Sequence, residues 1–222
     1  MNNKSVDNIL NRSDSIELLN KDDALLVLNK PAGLLSVPGR GEDKQDCLTS
    51  RVQAFYPEAL SVHRLDMATS GIMLMALGPS NQRYMQRLFE QREVSKKYIA
   101  IVEGRLEPQH GEVNLPLMRD WPNRPRQKVD HEQGKPSLTR YRLLQYNADE
   151  ETSRVELEPV TGRSHQLRVH MEALGHPILG DALYGSEIIQ TRVERLLLHA
   201  ESICFQHPTS GDVVFYNSEA PF

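Results

Sequence analysis

Gly71-Ile72-Met73-Leu74-Met75-Ala76-Leu77 is an unbroken apolar run with no polar position on either face. At this length it reads as a strand buried on both sides rather than as a helix. The segment before it, Ser61-Val62-His63-Arg64-Leu65-Asp66-Met67-Ala68-Thr69-Ser70, must therefore deliver the chain into a core. It carries a single carboxylate, Asp66, between the basic dipeptide His63-Arg64 and a turn of small residues. Such an Asp is presented on a loop at the mouth of a buried strand. The residues alone leave two readings open, a structural ion pair with Arg64 or a reactive carboxylate.

Around that strand the pattern predicts a mixed succession of elements. Ile16 to Leu19 and Ala24 to Asn29 read as short strands about the turn Lys21-Asp22-Asp23, and Lys30-Pro31 then forces extended backbone into a loop. Asp46 is the expected cap of a helix with Leu48, Val52 and Phe55 on one face, ended by Pro57. Ser80 is the expected cap of a second helix, with Tyr84, Leu88 and Gln91 along one stripe and Met85 and Phe89 beside it. Lys97 to Val102 is a strand by its branched and aromatic content. The proline-rich stretch from Pro116 to Pro136 reads as a long loop, and loops of that length in compact domains are usually functional or mobile. Leu138 to Tyr146 and Arg154 to Glu158 predict a hairpin, and Leu197 to Phe205 with Val213 to Tyr216 another. Ser164 to Leu174 predicts a helix closed by Gly175. Strands outnumber helices and no βαβ repeat occurs. The predicted class is α+β, with a mixed, largely antiparallel sheet flanked by helices and loops.

The chain is long enough to bury a sizeable core in one domain. Cys47 and Cys204 stand far apart with no C-x-x-C partner, which argues against a disulfide framework or a thiolate metal site and fits a reducing cytoplasm. The first residues are polar, and no run approaches a membrane span, so no membrane association is expected. Residues 1–15 are expected to be a flexible N-terminal segment and 16–222 one catalytic domain. The formal net charge of -4 weighs against a polyanionic partner. Its distribution does not: residues 119–142 hold seven Lys/Arg against three Asp/Glu. A local basic patch suffices for phosphate contacts, which are short-range and screened.

The run from Ser61 to Gly71 resembles the catalytic motif of pseudouridine synthases of the RluA family, where the Asp of an Arg-Leu-Asp element is indispensable. The resemblance continues in the family's order. Asn29-Lys30-Pro31-Ala32-Gly33-Leu34-Leu35 is similar to its entry strand and loop, and Ser95-Lys96-Lys97-Tyr98-Ile99-Ala100 to the segment with the active-site tyrosine. Thr161-Gly162-Arg163-Ser164-His165-Gln166-Leu167-Arg168-Val169-His170 resembles its second basic motif, and Leu196-Leu197-Leu198-His199-Ala200 its C-terminal strand. Each pattern alone is weak; five in order are not coincidence. Leu35 to Arg40, Asp120 to Pro125 and His176 to Asp181 add likeness to the family's short, single-domain members. Some relatives carry an additional N-terminal RNA-binding module; the few residues before Ile16 leave no room for one, and none is expected here.

The resemblance implies an RNA pseudouridine synthase, an isomerase acting on a 23S rRNA loop and a tRNA anticodon stem-loop as a cytoplasmic monomer. It implies that Asp66, Tyr98 and Arg168 are catalytic, with Arg168 pairing with the catalytic Asp. Tyr98 would stack beneath the uracil and take the C5 proton, and Arg64 would enter the RNA helix where the base has flipped out. Arg163 and His63 are further candidates for RNA contact. From the residues alone, Arg168 sits at the border of a Leu167, Met171, Leu174 stripe, where a guanidinium can leave the surface and offer a bidentate fork. Alternation places Lys97 and Ile99 opposite Tyr98. No cofactor is expected, because the reaction is an isomerisation. His165 and His170 lack helical zinc spacing, and no H-E-x-x-H or G-x-S-x-G occurs. An RNA-binding protein without turnover and an Asp-dependent nucleosidase are the other classes. The first has no missing residue to support it. The second lacks an evident carboxylic acid partner.

Overall fold

The computed structural model describes residues 16–222. The expected flexible segment, 1–15, lies outside them. Two compact units are present, one comprising the described residues up to Ser95 with Ala200–Pro221, the other Lys96–His199 with Phe222.

In the first unit, β1 (Glu17–Lys21), β2 (Leu25–Lys30), β3 (Ala59–Ser61), β4 (Ser70–Leu77), β11 (Leu198–Gln206) and β12 (Val213–Asn217) form a sheet in the order β1-β2-β4-β11. β3 pairs with β4, and β12 with β11. The run from Gly71 is the buried strand expected: residues 70–76 are all buried, in antiparallel register with β2 from Leu25↔Ala76 to Lys30↔Gly71. Gly71 is obligatory. Its φ is +113°, and a Cβ there would stand 2.3 Å from the Ala200 carbonyl oxygen, closer than any side chain permits.

Two helices complete this unit, α1 (Leu48–Gln53) and α2 (Pro79–Gln91). Both are where the pattern put them, and both are capped differently. Asp46 is turned to Arg51, with two bonds of 2.7 Å. The cap of α1 is Cys47, whose sulfur accepts from the Ser50 N–H while the Ser50 hydroxyl accepts from the Cys47 N–H. The cap of α2 is Gly78 in place of Ser80, because Pro79 takes the first helical position, where its missing N–H costs nothing. Met85 and Leu88 of α2 enter a core of Leu25, Val27, Ile72, Leu74, Ile203 and Phe205.

In the second unit, β5 (Ser95–Glu103), β6 (His110–Asn114), β9 (Leu138–Asn147) and β10 (Thr152–Pro159) lie in the order β5-β10-β9-β6, antiparallel throughout. The 138–159 hairpin is as expected, and α3 (Gln166–Ala173) ends at Leu174, with Gly175 at φ +87°. The stretch read as a long loop holds a two-stranded ribbon, β7 (Leu117–Arg119) with β8 (Gln127–Val129). Leu117 and Val129 on its inner side pack against Val169 and Tyr184. That apolar anchorage makes a ribbon out of a segment whose prolines and charges signalled only a loop. A short helix, α4 (Glu187–Thr191), was not expected. Strands and helices alternate without a βαβ repeat, and the class is α+β. Among the described residues no helix is long and apolar enough to cross a membrane.

Candidate active site

The chain from His63 to Met67 has no regular structure, yet alternate residues are pinned. His63 Nε2 accepts the Leu74 N–H of β4 at 2.9 Å, and its ring stacks on Phe89 of α2 with centroids 4.7 Å apart. Two residues on, Ser36 closes both backbone groups of Leu65: its hydroxyl donates to the carbonyl at 2.7 Å and accepts the N–H at 3.0 Å. Two further on, the Met67 carbonyl accepts the Gly33 N–H at 2.8 Å and Lys30 Nζ at 3.2 Å. Along this segment Arg64 and Met67 are exposed, Asp66 is half-buried and Leu65 is buried. The Asp66 carbonyl accepts the Thr69 N–H, closing the turn into β4. The backbone that carries the Asp66 carboxylate and the Arg64 guanidinium is thus held on both sides of each residue.

Lys30 is the residue supporting this loop that the sequence left unassigned. It is wholly buried, and Nζ donates to the carbonyls of Pro31 and Leu34, both at 2.8 Å, and of Met67. Its place in Asn29-Lys30-Pro31 was a signal, but nothing local marks a lysine as buried. One side chain joins the entry loop to the Asp66 turn, and the three acceptors offset the cost of removing Nζ from water.

In the second unit Tyr98 is half-buried on β5, opposite Leu157 of β10, which is itself opposite Tyr141 of β9. Lys97 and Ile99 lie on the other face as expected, where Lys97 pairs with Glu156 at 3.1 Å. Lys96 shares the Tyr98 face, and burial lowers its pKa below the ordinary lysine value.

Arg168 is buried, at the foot of α3, and forms the bidentate fork expected of it. The carboxylate it grips within this unit is Asp181, with Nε to Oδ2 at 2.8 Å and Nη2 to Oδ1 at 2.6 Å. Asp181 Oδ1 also accepts the Leu183 and Tyr184 N–H groups. Asp181 was visible only as the last residue of a quoted motif. The Arg168 guanidinium lies over the Tyr184 ring, 5.1 Å from its centroid. The Tyr184 hydroxyl meets His165 Nδ1 at 2.7 Å and accepts the Gln127 N–H at 2.8 Å. Gln166 fixes the entry to α3: its oxygen accepts from Thr161 Oγ1 and the Arg163 N–H, and its amide donates to the Leu138 carbonyl and Thr139 Oγ1. Arg163 is half-buried beside this turn, its Nε bonded to the Pro136 carbonyl at 3.3 Å. Inside the helix, His170 bonds Thr139 Oγ1 at 2.9 Å and the Leu115 carbonyl at 3.0 Å; burial lowers its pKa.

The structure therefore brings His63, Arg64 and Asp66 together on one loop, and Arg163 and Arg168 about one helix start. Comparison with known proteins shows the family to which the chain belongs. The family model described as RNA pseudouridylate synthase matches residues 24–173. The dual-specificity RNA pseudouridine synthase RluA of Escherichia coli (strain K12) is 53% identical over 191 residues, covering 86% of this chain and 87% of the relative. That of Yersinia pestis is 49% identical over 191 residues, covering 86% and 92%. Among solved structures, human RNA pseudouridylate synthase domain containing 1 superposes with a TM-score of 0.78 at 30% identity, covering 100% of this chain and 87% of that one. The chain belongs to the RNA pseudouridylate synthase family, and so to the isomerases that act on RNA.

Proposed function

We propose that this enzyme converts specific uridines to pseudouridine in 23S rRNA and in a tRNA anticodon stem-loop, through Asp66 and a flipped base. The observation that carries the reading is the triple anchorage at His63, Leu65 and Met67, which fixes the chain on either side of Arg64 and of Asp66. In the reaction the N1–C1′ bond breaks, the base turns, a C5–C1′ bond forms, the C5 proton leaves and N1 gains one. The product is an isomer, so no cofactor is needed. Asp66 acts on the sugar, either as nucleophile at C1′ or as the base that opens a glycal route. Tyr98 stacks beneath the uracil and receives the C5 proton. Arg168, oriented by Asp181, is the cation of the reaction. Arg64 fills the gap left by the flipped base and offsets part of an unstacking cost of a few kcal/mol. Arg163 contacts phosphate, and His63 serves RNA binding by fixing the posture of Arg64.

The dual substrate range is extended to this chain from the name of its Escherichia coli relative. The family match, residues 24–173, runs across the boundary at Ser95, which supports reading both units as parts of one catalytic domain over residues 16–222; that the enzyme acts as a cytoplasmic monomer is part of the proposal. Two experiments test the proposal. Pseudouridine mapping in rRNA and tRNA from a strain lacking the gene should show sites lost from both. Purified Asp66→Asn should bind RNA and fold as wild type without turnover. Pseudouridine formed by that variant beyond trace deamidation overturns the assignment.

A further inference from the structure

We propose that the tip of the β7–β8 ribbon is an RNA-docking surface on which Trp121 and its arginines stack an unpaired base other than the reacting uridine. This inference rests on the reading that the enzyme acts on RNA stem-loops. Trp121 is 55% exposed, an unusual state for a residue that normally hides most of its surface. Two guanidiniums attend its ring, Arg124 at 4.7 Å from the centroid and Arg119 at 5.0 Å. Among the described residues no carboxylate pairs with either, or with Arg126. Unpaired bases are held on aromatic faces and on arginine planes, and phosphates by the same cations.

The tip is also built to hold its shape. Asp120 N–H donates to the Arg126 carbonyl at 3.0 Å, and Asn123 N–H to the Asp120 carbonyl at 3.2 Å. The Asn123 amide donates to the Asp120 carboxylate at 2.9 Å, so the nearest acid is already occupied. At its base the Gln127 N–H donates to Tyr184, and the Arg126 guanidinium lies 5.3 Å from the Tyr184 ring centroid. A preformed platform loses little conformational freedom on binding. An exposed Trp flanked by Arg also suits a protein partner. Charge decides against that reading: the tip, residues 119–126, carries three Arg against one Asp in a chain of net charge -4, whereas Lys128, Arg140 and Arg142 beyond it are paired with Asp130, Glu112 and Glu156. That local excess favours a polyanion.

Trp121 is the chain's only tryptophan, so its emission reports on this site alone. Wild-type enzyme is titrated with an anticodon stem-loop RNA and, separately, with a fully paired RNA duplex of matched length. Binding is followed by filter retention, and pseudouridine is assayed in the same samples. The stem-loop should quench Trp121 with the midpoint of its binding curve, and the duplex should not. Trp121→Ala should weaken stem-loop binding about tenfold, the scale of one lost base stack, and Trp121→Tyr should restore most of it. Stem-loop bound and converted with unchanged emission, or equal quenching by duplex, overturns the platform and leaves the proposed function standing. So does wild-type affinity in Trp121→Ala. Quenching and tight binding without pseudouridine support the platform and overturn the proposed function. Binding of neither RNA overturns both.

Discussion

Arg168 and Asp181 hold each other through two bonds of 2.8 and 2.6 Å with side chains only 5% and 1% exposed. Arg51 and Asp46 make the same fork at 2.7 Å in both arms, with side chains 24% and 65% exposed. The two pairs have one geometry and opposite energetics. Removing Asp181 takes a desolvated counter-charge from Arg168 and an acceptor from the Leu183 and Tyr184 N–H groups. An exposed pair gives its charges back to solvent.

Asp181→Ala should therefore destabilise the protein by about 3–5 kcal/mol, whereas Asp46→Ala should leave the unfolding midpoint unchanged. Thermal and urea unfolding of the two variants checks this. Equal, small shifts for both would show that the buried fork does not hold Arg168.

Lys30→Met keeps an unbranched side chain but removes the donor from three carbonyls, those of Pro31, Leu34 and Met67. A buried acceptor left without a partner costs about 1–3 kcal/mol. Melting temperature should fall, and kcat should fall while KM for RNA stays near wild type, since the slack is introduced beneath Asp66. A variant stable and fully active would mean that Gly33 alone suffices to pin Met67.

Tyr98→Phe preserves the ring and loses the hydroxyl. If Tyr98 receives the C5 proton, the glycosidic bond should still break while release of pseudouridine stalls, seen as uridine consumption without product. Full turnover by Tyr98→Phe would leave Tyr98 with stacking alone.

His170 predicts a pH dependence of stability. Burial lowers its pKa below the ordinary 6.5, so in the folded state it stays neutral where the unfolded chain takes up a proton. The unfolded state then binds more protons, and stability rises with pH through that window. The contribution is complete above 6.5 and is lost as pH falls below it. Melting temperatures of wild type and His170→Gln between about pH 5 and 8 should differ in slope, the variant being flatter on the acid side. Parallel curves would assign the acid loss to other groups.

Much of the scaffold follows from local signals in the sequence. The apolar run at 71–77 demanded a strand buried on both faces, the 138–159 alternation demanded a hairpin, and Gly175 ended α3 because it adopts positive φ at no steric cost. Residue order also carried the motifs that mark Asp66, Tyr98 and Arg168. These signals act over a few residues, which is why they are legible before folding. Partner choice is not local. Asp46 is not the cap of α1 because the helix begins one residue later, with Cys47 at the cap, and Asp46 pairs with Arg51 instead; the 116–136 stretch became a ribbon because Val169 and Tyr184 offered Leu117 and Val129 an apolar bed. Asp181 received Arg168, and Lys30 vanished into three carbonyls, only because distant segments converged there. A buried polar group must find its partners wherever the fold puts them. The sequence determined which groups this protein has to satisfy, and the tertiary structure decided which ones satisfy each other.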